Sequence, residues 1–361
     1  MDIDAFTGTR AVSAQQQFDT EALATWLKPR VPGFAGPLSV EQFKGGQSNP
    51  TYKLNTPGGS YVMRAKPGPV AKLLPSAHAI EREFAVMKAL QGSEVPVPRM
   101  LALCEDESVM GRAFYVMEFM QGRVLWDQSL PGMSMAERAA IYEEMNRVMA
   151  ALHKVDFAAV GLSSYGKPGN YFERQIGRWS KQYLASVTQD IPAMNELIAW
   201  LPANIPDSAR DPSEVSIVHG DYRMDNLVFH PTEPRALAVL DWELSTLGHP
   251  LADFSYHCMS WHIQTSGAAR GLGGKDLAAL GIPDELSYVR RYCERTGRAN
   301  AETVMKDWNF YMAYNLFRIA AILQGIAKRV EDGTASSDRA RETGAGARPM
   351  AELGWQFARK N

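Results

Sequence analysis

Three oxygen-bearing side chains stand at the ends of short apolar runs between Val215 and Asp253. Val215-Ser-Ile-Val218 stops at His219-Gly220-Asp221, and Leu227-Val-Phe229 follows Asn226. After a turn marked by Pro231 and Pro234, Ala236-Leu-Ala-Val-Leu240 stops at Asp241. Runs of that length, bounded by Pro, Gly and polar residues, read as strands, so the three groups fall where strands give way to loops. Hard oxygen donors with no Cys or His cluster beside them suit Mg²⁺, which takes carboxylates, amides, water and phosphate oxygens. The spacing of Asp221 and Asn226 also matches the catalytic loop of phosphoryl-transfer enzymes. There the Asp orients and deprotonates a hydroxyl, while the Asn and a later Asp hold the metal. Loop Asp and Asn residues are most often turn formers, but turn formation does not require Asp241 at the close of the next strand.

His219-Gly-Asp-Tyr-Arg-Met-Asp-Asn226 followed by Leu240-Asp-Trp-Glu243 resembles the signature of the aminoglycoside phosphotransferase family, relatives of the protein kinases. Gly45-Gly-Gln-Ser-Asn-Pro-Thr-Tyr52, Tyr115-Val-Met-Glu-Phe119, Arg174-Gln-Ile-Gly-Arg-Trp179 and Gly333-Thr-Ala-Ser-Ser337 are similar to segments of one branch of it. That branch comprises phosphotransferases found alone in bacteria, or fused ahead of an acyl-CoA dehydrogenase in some animal proteins. The resemblance covers nearly the whole chain. It is specific as to fold and phosphate chemistry and less specific as to substrate. It implies an α+β, bilobal protein-kinase-like fold, with a β-rich N-terminal lobe and a mostly helical C-terminal lobe. The implied reaction is ATP- and Mg²⁺-dependent phosphorylation of a hydroxyl on a small molecule. Asp221 would then be the base, and Asn226 and Asp241 would hold Mg²⁺, with Glu243 as an outer partner of the metal. Arg223 is placed to neutralise the transferring group, unless it is simply exposed, and His219 supports the loop.

The elements that must position these groups come earlier in the chain. Residues 1–28 read as a polar arm followed by a short helix from Phe18 to Leu27, residues 29–120 as the nucleotide-binding lobe, and residues 121–361 as the catalytic and substrate-binding lobe. Leu38 to Phe43 alternates like a strand, Gly45-Gly46-Gln47-Ser48-Asn49 breaks it, and Thr51 resumes it. Two adjacent glycines let backbone N–H groups approach a polyphosphate, because neither has a Cβ in the way. Tyr61 to Lys66 is the next strand, with Val62, Arg64 and Lys66 on one face. A kinase-like site needs a cation there to hold nucleotide phosphates and to pair with a Glu on the following helix. The wider family uses lysine; the matching position here is Arg64, with Lys66 on the same face as the alternative. In the helix expected from Ser76 to Gln91, Ile80, Phe84, Met87 and Leu90 form an apolar stripe. Glu83 falls within that stripe and Glu81 off its edge, which makes Glu83 the partner for Arg64. Phe114 to Met120 reads as a buried strand ended by Gln121-Gly122. In the kinase-like arrangement this is the hinge, with the backbone of Glu118 and Met120 facing adenine.

Past the hinge the pattern turns helical. Ser134 and Glu137 form a capping box ahead of the inward stripe Ile141, Met145, Val148, Met149 and Leu152. Tyr171 to Tyr183 is a helix with Arg174, Arg178 and Lys181 against one Glu173. Such a face is ordinarily solvated charge, but Tyr171, Trp179 and Tyr183 interleave with it, and the resemblance makes Tyr171, Arg174, Arg178 and Trp179 candidates for substrate contact. Asp253 reads as a helix cap or loop anchor, and His257 and His262 as structural histidines. Helices follow from Glu285 to Gly297 and from Ala301 to Lys328, with a surface loop from Gly333 to Ala347.

Composition narrows the partners. Lys+Arg 38 against Asp+Glu 40 leaves a net charge of −2, so bulk charge points to neither nucleic acid nor a membrane surface. Three widely spaced cysteines and the absence of a long apolar run or signal pattern fit a soluble, cytoplasmic protein. The basic helix favours an anionic acceptor over a polycationic aminoglycoside, and the resemblance to the branch fused to acyl-CoA dehydrogenases implies a hydroxyacyl-CoA thioester. Aminoglycoside, choline or sugar-alcohol phosphorylation stays open within the same chemistry. A nucleotide-binding module without turnover is the competing class, favoured by the missing lysine and opposed by the intact Asp221, Asn226 and Asp241 set.

Overall fold

The computed structural model describes residues 8–44, 49–67, 79–266, 271–298, 300–335 and 339–360. The chain forms two compact units, Met1–Val124 with Leu227–Leu244, and Leu125–Asn226 with Ser245–Asn361.

The first unit is built on strands β1 (Thr9–Arg10), β2 (Ser39–Phe43), β3 (Thr51–Thr56), β4 (Gly59–Ala65), β5 (Met100–Cys104) and β6 (Phe114–Glu118). They pair antiparallel in the order β1-β2-β3-β4-β6-β5. Helix α1 (Thr20–Leu27) starts at Asp19, whose carboxylate accepts the N–H groups of Glu21 and Ala22. It buries Leu23 and Leu27 in one core with Tyr61, Met63 and Ala65 of β4. Alternation therefore turns Val62 and Arg64 to the opposite face. Helix α2 (Ile80–Leu90) packs on β5 and β6, and buries Glu83 along with Ile80, Val86, Met87 and Leu90.

Strands β7 (Arg123–Val124), β9 (Leu227–Phe229) and β10 (Ala236–Val239) form a second antiparallel sheet of this unit, in the order β10-β9-β7. Gly122 is needed beside it, because a Cβ there would lie 2.3 Å from the carbonyl oxygen of Phe229. Two expectations about domain limits change. The boundary at residue 120 moves to Val124, and residues 227–244 group with the first unit because the β9–β10 hairpin pairs with β7. Of the expected arm and helix of residues 1–28, the helix groups with this unit, since α1 supplies part of its core.

The second unit is mostly helical: α3 (Met135–Lys154), α4 (Tyr171–Ala185), α5 (Pro192–Ala203), α6 (Pro250–Cys258), α7 (Leu277–Leu280), α8 (Glu285–Thr296), α9 (Ala301–Lys306), α10 (Trp308–Glu331), α11 (Ala340–Gly344) and α12 (Ala347–Ala358). Strands β8 (Ser216–Val218) and β11 (Thr246–Gly248) pair antiparallel within it. The capping box of Ser134 and Glu137 starts α3. Helix α10 is the centre, packed by α12, α11, α4, α5 and α6. The single helix expected from Ala301 to Lys328 is two, broken at Asp307, whose carboxylate takes the Ser208 hydroxyl. The loop expected from Gly333 to Ala347 contains α11, with Ala340 and Gly344 buried. Small residues there are contacts, not loop formers: a Cβ on Gly344 would sit 2.9 Å from the Ala327 backbone. Among the described residues no helix is long and apolar enough to cross a membrane.

Candidate active site

The first unit contributes a charged node around Arg64. Near the end of β4, Arg64 is turned away from the α1 core and is 8% exposed. Its Nε lies 3.0 Å from Glu83 Oε2, and its Nη2 lies 2.7 Å from Asp241 Oδ1 and 3.5 Å from Glu243 Oε2. Glu83 is fully buried on α2 and takes two further donors, Asn49 Nδ2 at 3.0 Å and the Tyr115 hydroxyl at 3.1 Å. Burial pushes the Glu83 carboxyl up and the Arg64 charge beside it draws it back. Burial also works against the charge of Arg64, but Glu83 and then Asp241 outweigh it and hold the guanidinium above its ordinary value. Lys66, the residue after β4, pairs with Glu81, so Arg64 and Lys66 are divided between the two carboxylates of the helix.

Asp241 closes this node in an unusual backbone state, with φ at +64°. Outside glycine that conformation costs roughly 1 kcal/mol or more and persists only where the surroundings impose it. The next residue supplies part of that imposition, since Trp242 is buried with its Nε1 donating to the Val239 carbonyl at 2.9 Å.

The second unit contributes the His219-Gly220-Asp221 loop. Gly220 has φ at +81°, which favours glycine at this position. Buried Asp253 on α6 clamps the loop from below: its oxygens accept the N–H groups of His219 at 2.6 Å and Gly220 at 2.8 Å. His153 Nε2 lies 3.3 Å from the same carboxylate, and its Nδ1 lies 2.7 Å from the Tyr292 hydroxyl. Burial alone would raise the Asp253 carboxyl, but His153 and His219 bring it below the ordinary carboxylate range. Asp253 is thus a loop anchor, not a helix cap; His249 caps α6 instead.

Asp221 is surrounded by donors. The Tyr256 hydroxyl donates to Oδ1, and Arg223 Nε lies 3.5 Å from the same oxygen. Asn226 Nδ2 donates to Oδ2 at 3.2 Å and to the Asp221 carbonyl at 2.8 Å. Arg223 also pairs with Asp225 at 2.8 Å and is about half exposed. His219 supports the loop from within, its Nδ1 accepting the Asp221 N–H at 3.2 Å.

Each unit leaves an oxygen of the kind a hard divalent cation takes. Because Nδ2 of Asn226 is committed, Oδ1 is the donor atom it has left, and Arg64 takes only one oxygen of Asp241. Among the described residues no group of three or more His, Cys, Asp or Glu could hold a metal by itself. Mg²⁺ needs fewer protein ligands than that, since it keeps several waters and takes one or two carboxylates plus phosphate oxygens.

Other expected residues fall differently. Gly45, Gly46, Gln47 and Ser48 lie outside the described residues. Asn49, expected at the nucleotide, is fully buried with its amide on Glu83. Glu118 ends β6 with its N–H donated to the Arg99 carbonyl at 2.9 Å, and Met120 follows half-buried. On α4, Trp179 and Tyr183 face the core, Tyr171 is half-buried, Arg174 donates to the Lys167 carbonyl at 2.6 Å, and Arg178 stays exposed. His257 and His262 are satisfied by Tyr288 and Glu285, each at 2.9 Å.

Residues 39–287 match the model of the phosphotransferase enzyme family, which is more than half of the sequence. The chain belongs to that family. This phosphotransferase is 47% identical over 354 residues to mouse acyl-CoA dehydrogenase family member 10, covering 98% of the chain and 32% of that protein. It is 42% identical to rat acyl-CoA dehydrogenase family member 11, over all of the chain and 46% of that protein. The phosphotransferase therefore spans about a third to just under a half of the length of these curated relatives. A solved Ralstonia eutropha protein, provisionally named an aminoglycoside phosphotransferase, is 66% identical with a TM-score of 0.86, over 95% of this chain and 99% of that one. Choline kinase from Cryptosporidium parvum shares only 13% identity at a TM-score of 0.67, over 95% and 96% of the two chains. That likeness speaks for the fold alone, and the fold is kinase-like.

Tyr115, Tyr256 and Arg318 were not legible as site features, whereas the loop-anchor alternative for Asp253 was. Tyr115 sits in an apolar run whose periodicity says only that it is buried. Arg318 carries a local signal, a lone cation in the apolar stretch Leu316-Phe-Arg-Ile-Ala-Ala321, but nothing nearby says what it meets.

Proposed function

We propose that this phosphotransferase moves the γ-phosphoryl group of ATP to a hydroxyl of a small anionic molecule, with a hydroxyacyl-CoA as the acceptor. The observation that carries the transfer is Asp221, a carboxylate held on one oxygen by Tyr256 and on the other by Asn226. Held that way, it is oriented to accept the proton of an incoming hydroxyl without first reorganising. Arg223 supplies positive charge beside it. Arg64, braced by Glu83, would fork to phosphate oxygens as the family's lysine does with a point charge. The backbone of Glu118 and Met120 would face adenine. We assign Mg²⁺ to the Asn226 amide oxygen and the Asp241 carboxylate, with Glu243 as an outer partner; bound there, it would neutralise phosphate charge.

The acceptor reading rests on two supports. The exposed face of α4 carries Arg178 and Lys181, which would repel a polycation. The curated relatives that contain a region like this chain are named acyl-CoA dehydrogenases, so an acyl-CoA is the ligand class both parts could share. The aminoglycoside name of the Ralstonia relative is the competing reading. Of the α4 residues, Arg178 and Trp179 remain candidates for acceptor contact. Tyr171 and Arg174 contribute through packing and the Lys167 carbonyl.

ADP release with ATP and Mg²⁺ across hydroxyacyl-CoA thioesters, aminoglycosides and choline tests the reading. One thioester should be turned over selectively. Asp221→Asn should then lose roughly 10²- to 10⁴-fold in kcat while nucleotide affinity holds. Full activity in that variant would remove Asp221 from the mechanism, and selective turnover of an aminoglycoside would replace the acceptor.

A further inference from the structure

Arg318 lies on the buried side of α10, 6% exposed, and among the described residues it has no carboxylate within ion-pairing distance. Taking a permanent cation out of water without a paired anion costs several kcal/mol. Part of that is offset by what it touches. Its Nη2 donates to the Gly220 carbonyl at 2.6 Å, and its guanidinium carbon is 5.6 Å from the Trp179 ring centre and 5.1 Å from that of Tyr256. A guanidinium has five N–H donors in one plane. Only the Gly220 bond engages them among the described residues, so a fork held between two rings is left with donors to offer.

The position of those donors limits what they could hold. Tyr256 lies under Arg318 with its ring and reaches Asp221 with its hydroxyl, so about one tyrosine ring separates the cation from the candidate base. An oxygen bound by Arg318 must therefore stand only a few carbons from a hydroxyl at Asp221. The phosphates of a CoA, at the far end of the pantetheine arm, are too distant. The acyl carbonyl oxygen is at the right separation, and it can accept a charge-assisted N–H bond from the guanidinium.

We propose that Arg318 receives the carbonyl oxygen of the acceptor's acyl group and so delivers the hydroxyl of a hydroxyacyl ligand to Asp221. This rests on the acceptor reading above and adds the atom that is recognised. Trp179 and Tyr256 beside the planar guanidinium keep it pre-oriented, so that little side-chain freedom is lost when the ligand binds.

The test is calorimetric binding, without ATP, of a 4-hydroxyacyl-CoA and its thioether analogue, in which CH₂ replaces the carbonyl. Wild type, Arg318→Lys and Arg318→Met are compared. Losing a charge-assisted hydrogen bond should weaken thioester binding on the order of 10- to 100-fold in Arg318→Met. The thioether should bind wild type and variant equally weakly, and ATP affinity should not move. If Arg318→Met does not fold, Arg318→Lys, which keeps the charge but loses the fork, should still narrow the gap between thioester and thioether. Equal binding of both ligands to wild type, with turnover of both, overturns the inference and leaves the acceptor reading standing. Binding of neither ligand, with Asp221-dependent turnover of an aminoglycoside or choline, overturns the acceptor reading and this inference with it.

Discussion

One guanidinium, that of Arg64, meets three carboxylates, and the geometry shows which of them depends on it. Asp241 and Glu243 keep partial exposure, but Glu83 is sealed and, among the described residues, has Asn49 and Tyr115 as donors besides Arg64. Breaking a buried pair from one side costs more than the pair contributes, because the remaining charge stays desolvated. Arg64→Met should therefore lower unfolding free energy by about 3–5 kcal/mol in urea titration. Arg64→Lys should recover part of this, since an ammonium keeps the charge but reaches fewer oxygens. A loss in Arg64→Met no larger than the ~1 kcal/mol of a surface pair would show that Glu83 does not need the cation.

Between elements, the contacts of the second unit turn on close approach. α11 is only five residues long, and it holds to α10 because Gly344 lets the Ala327 backbone come near. A Gly-to-Ala change inside a helix ordinarily gains roughly 0.5–1 kcal/mol. Here the added Cβ would meet backbone at 2.9 Å, so the sign should reverse. Gly344→Ala should destabilise by about 1–3 kcal/mol, as overpacking does. A raised Tm would mean that α11 does not bear on α10. The same dependence on a neighbour governs the His219-Gly220-Asp221 loop, whose shape is set by the Asp253 carboxylate on α6.

For the molecule as a whole, several histidines are folded in neutral. Burial pushes His249 and His257 down to about 4, and it also lowers His153. The unfolded chain would bind protons on these groups near the ordinary value of about 6.5. Between that value and about 4 the unfolded state therefore holds more protons, and stability falls as pH falls. Asp253 acts lower in the same direction: its depressed carboxyl adds stability above the ordinary Asp value that is lost on further acidification. Chemical denaturation at pH 7 and pH 5 should differ by about 2 kcal/mol for each of His249 and His257. His257→Gln, which cannot charge, should remove its share of the difference. An unchanged slope in that variant would show that His257 does not titrate in this range.

What was determined by the amino-acid order alone is what depends on near neighbours. Alternation marked β4, a nearly continuous apolar run marked β6, turn residues bounded β8, β9 and β10, and the Ser134–Glu137 spacing started α3, because each property is settled within a few residues. The placement of Glu83 inside the apolar stripe of α2 is of the same kind, and so are the loop positions of Asp221, Asn226 and Asp241. Only the tertiary structure decided which partner each group meets. Arg64 and Asp241 are 177 residues apart in sequence, Gly220 and Arg318 are 98 apart, and Gly220 and Asp253 are 33 apart. No local pattern encodes such pairings, since they form when packing removes competing water and leaves a buried charge or N–H one acceptor in reach. The break at Asp307 and the helix α11 belong with them, because small and polar residues read as loop until a neighbouring helix gives them a surface to fit.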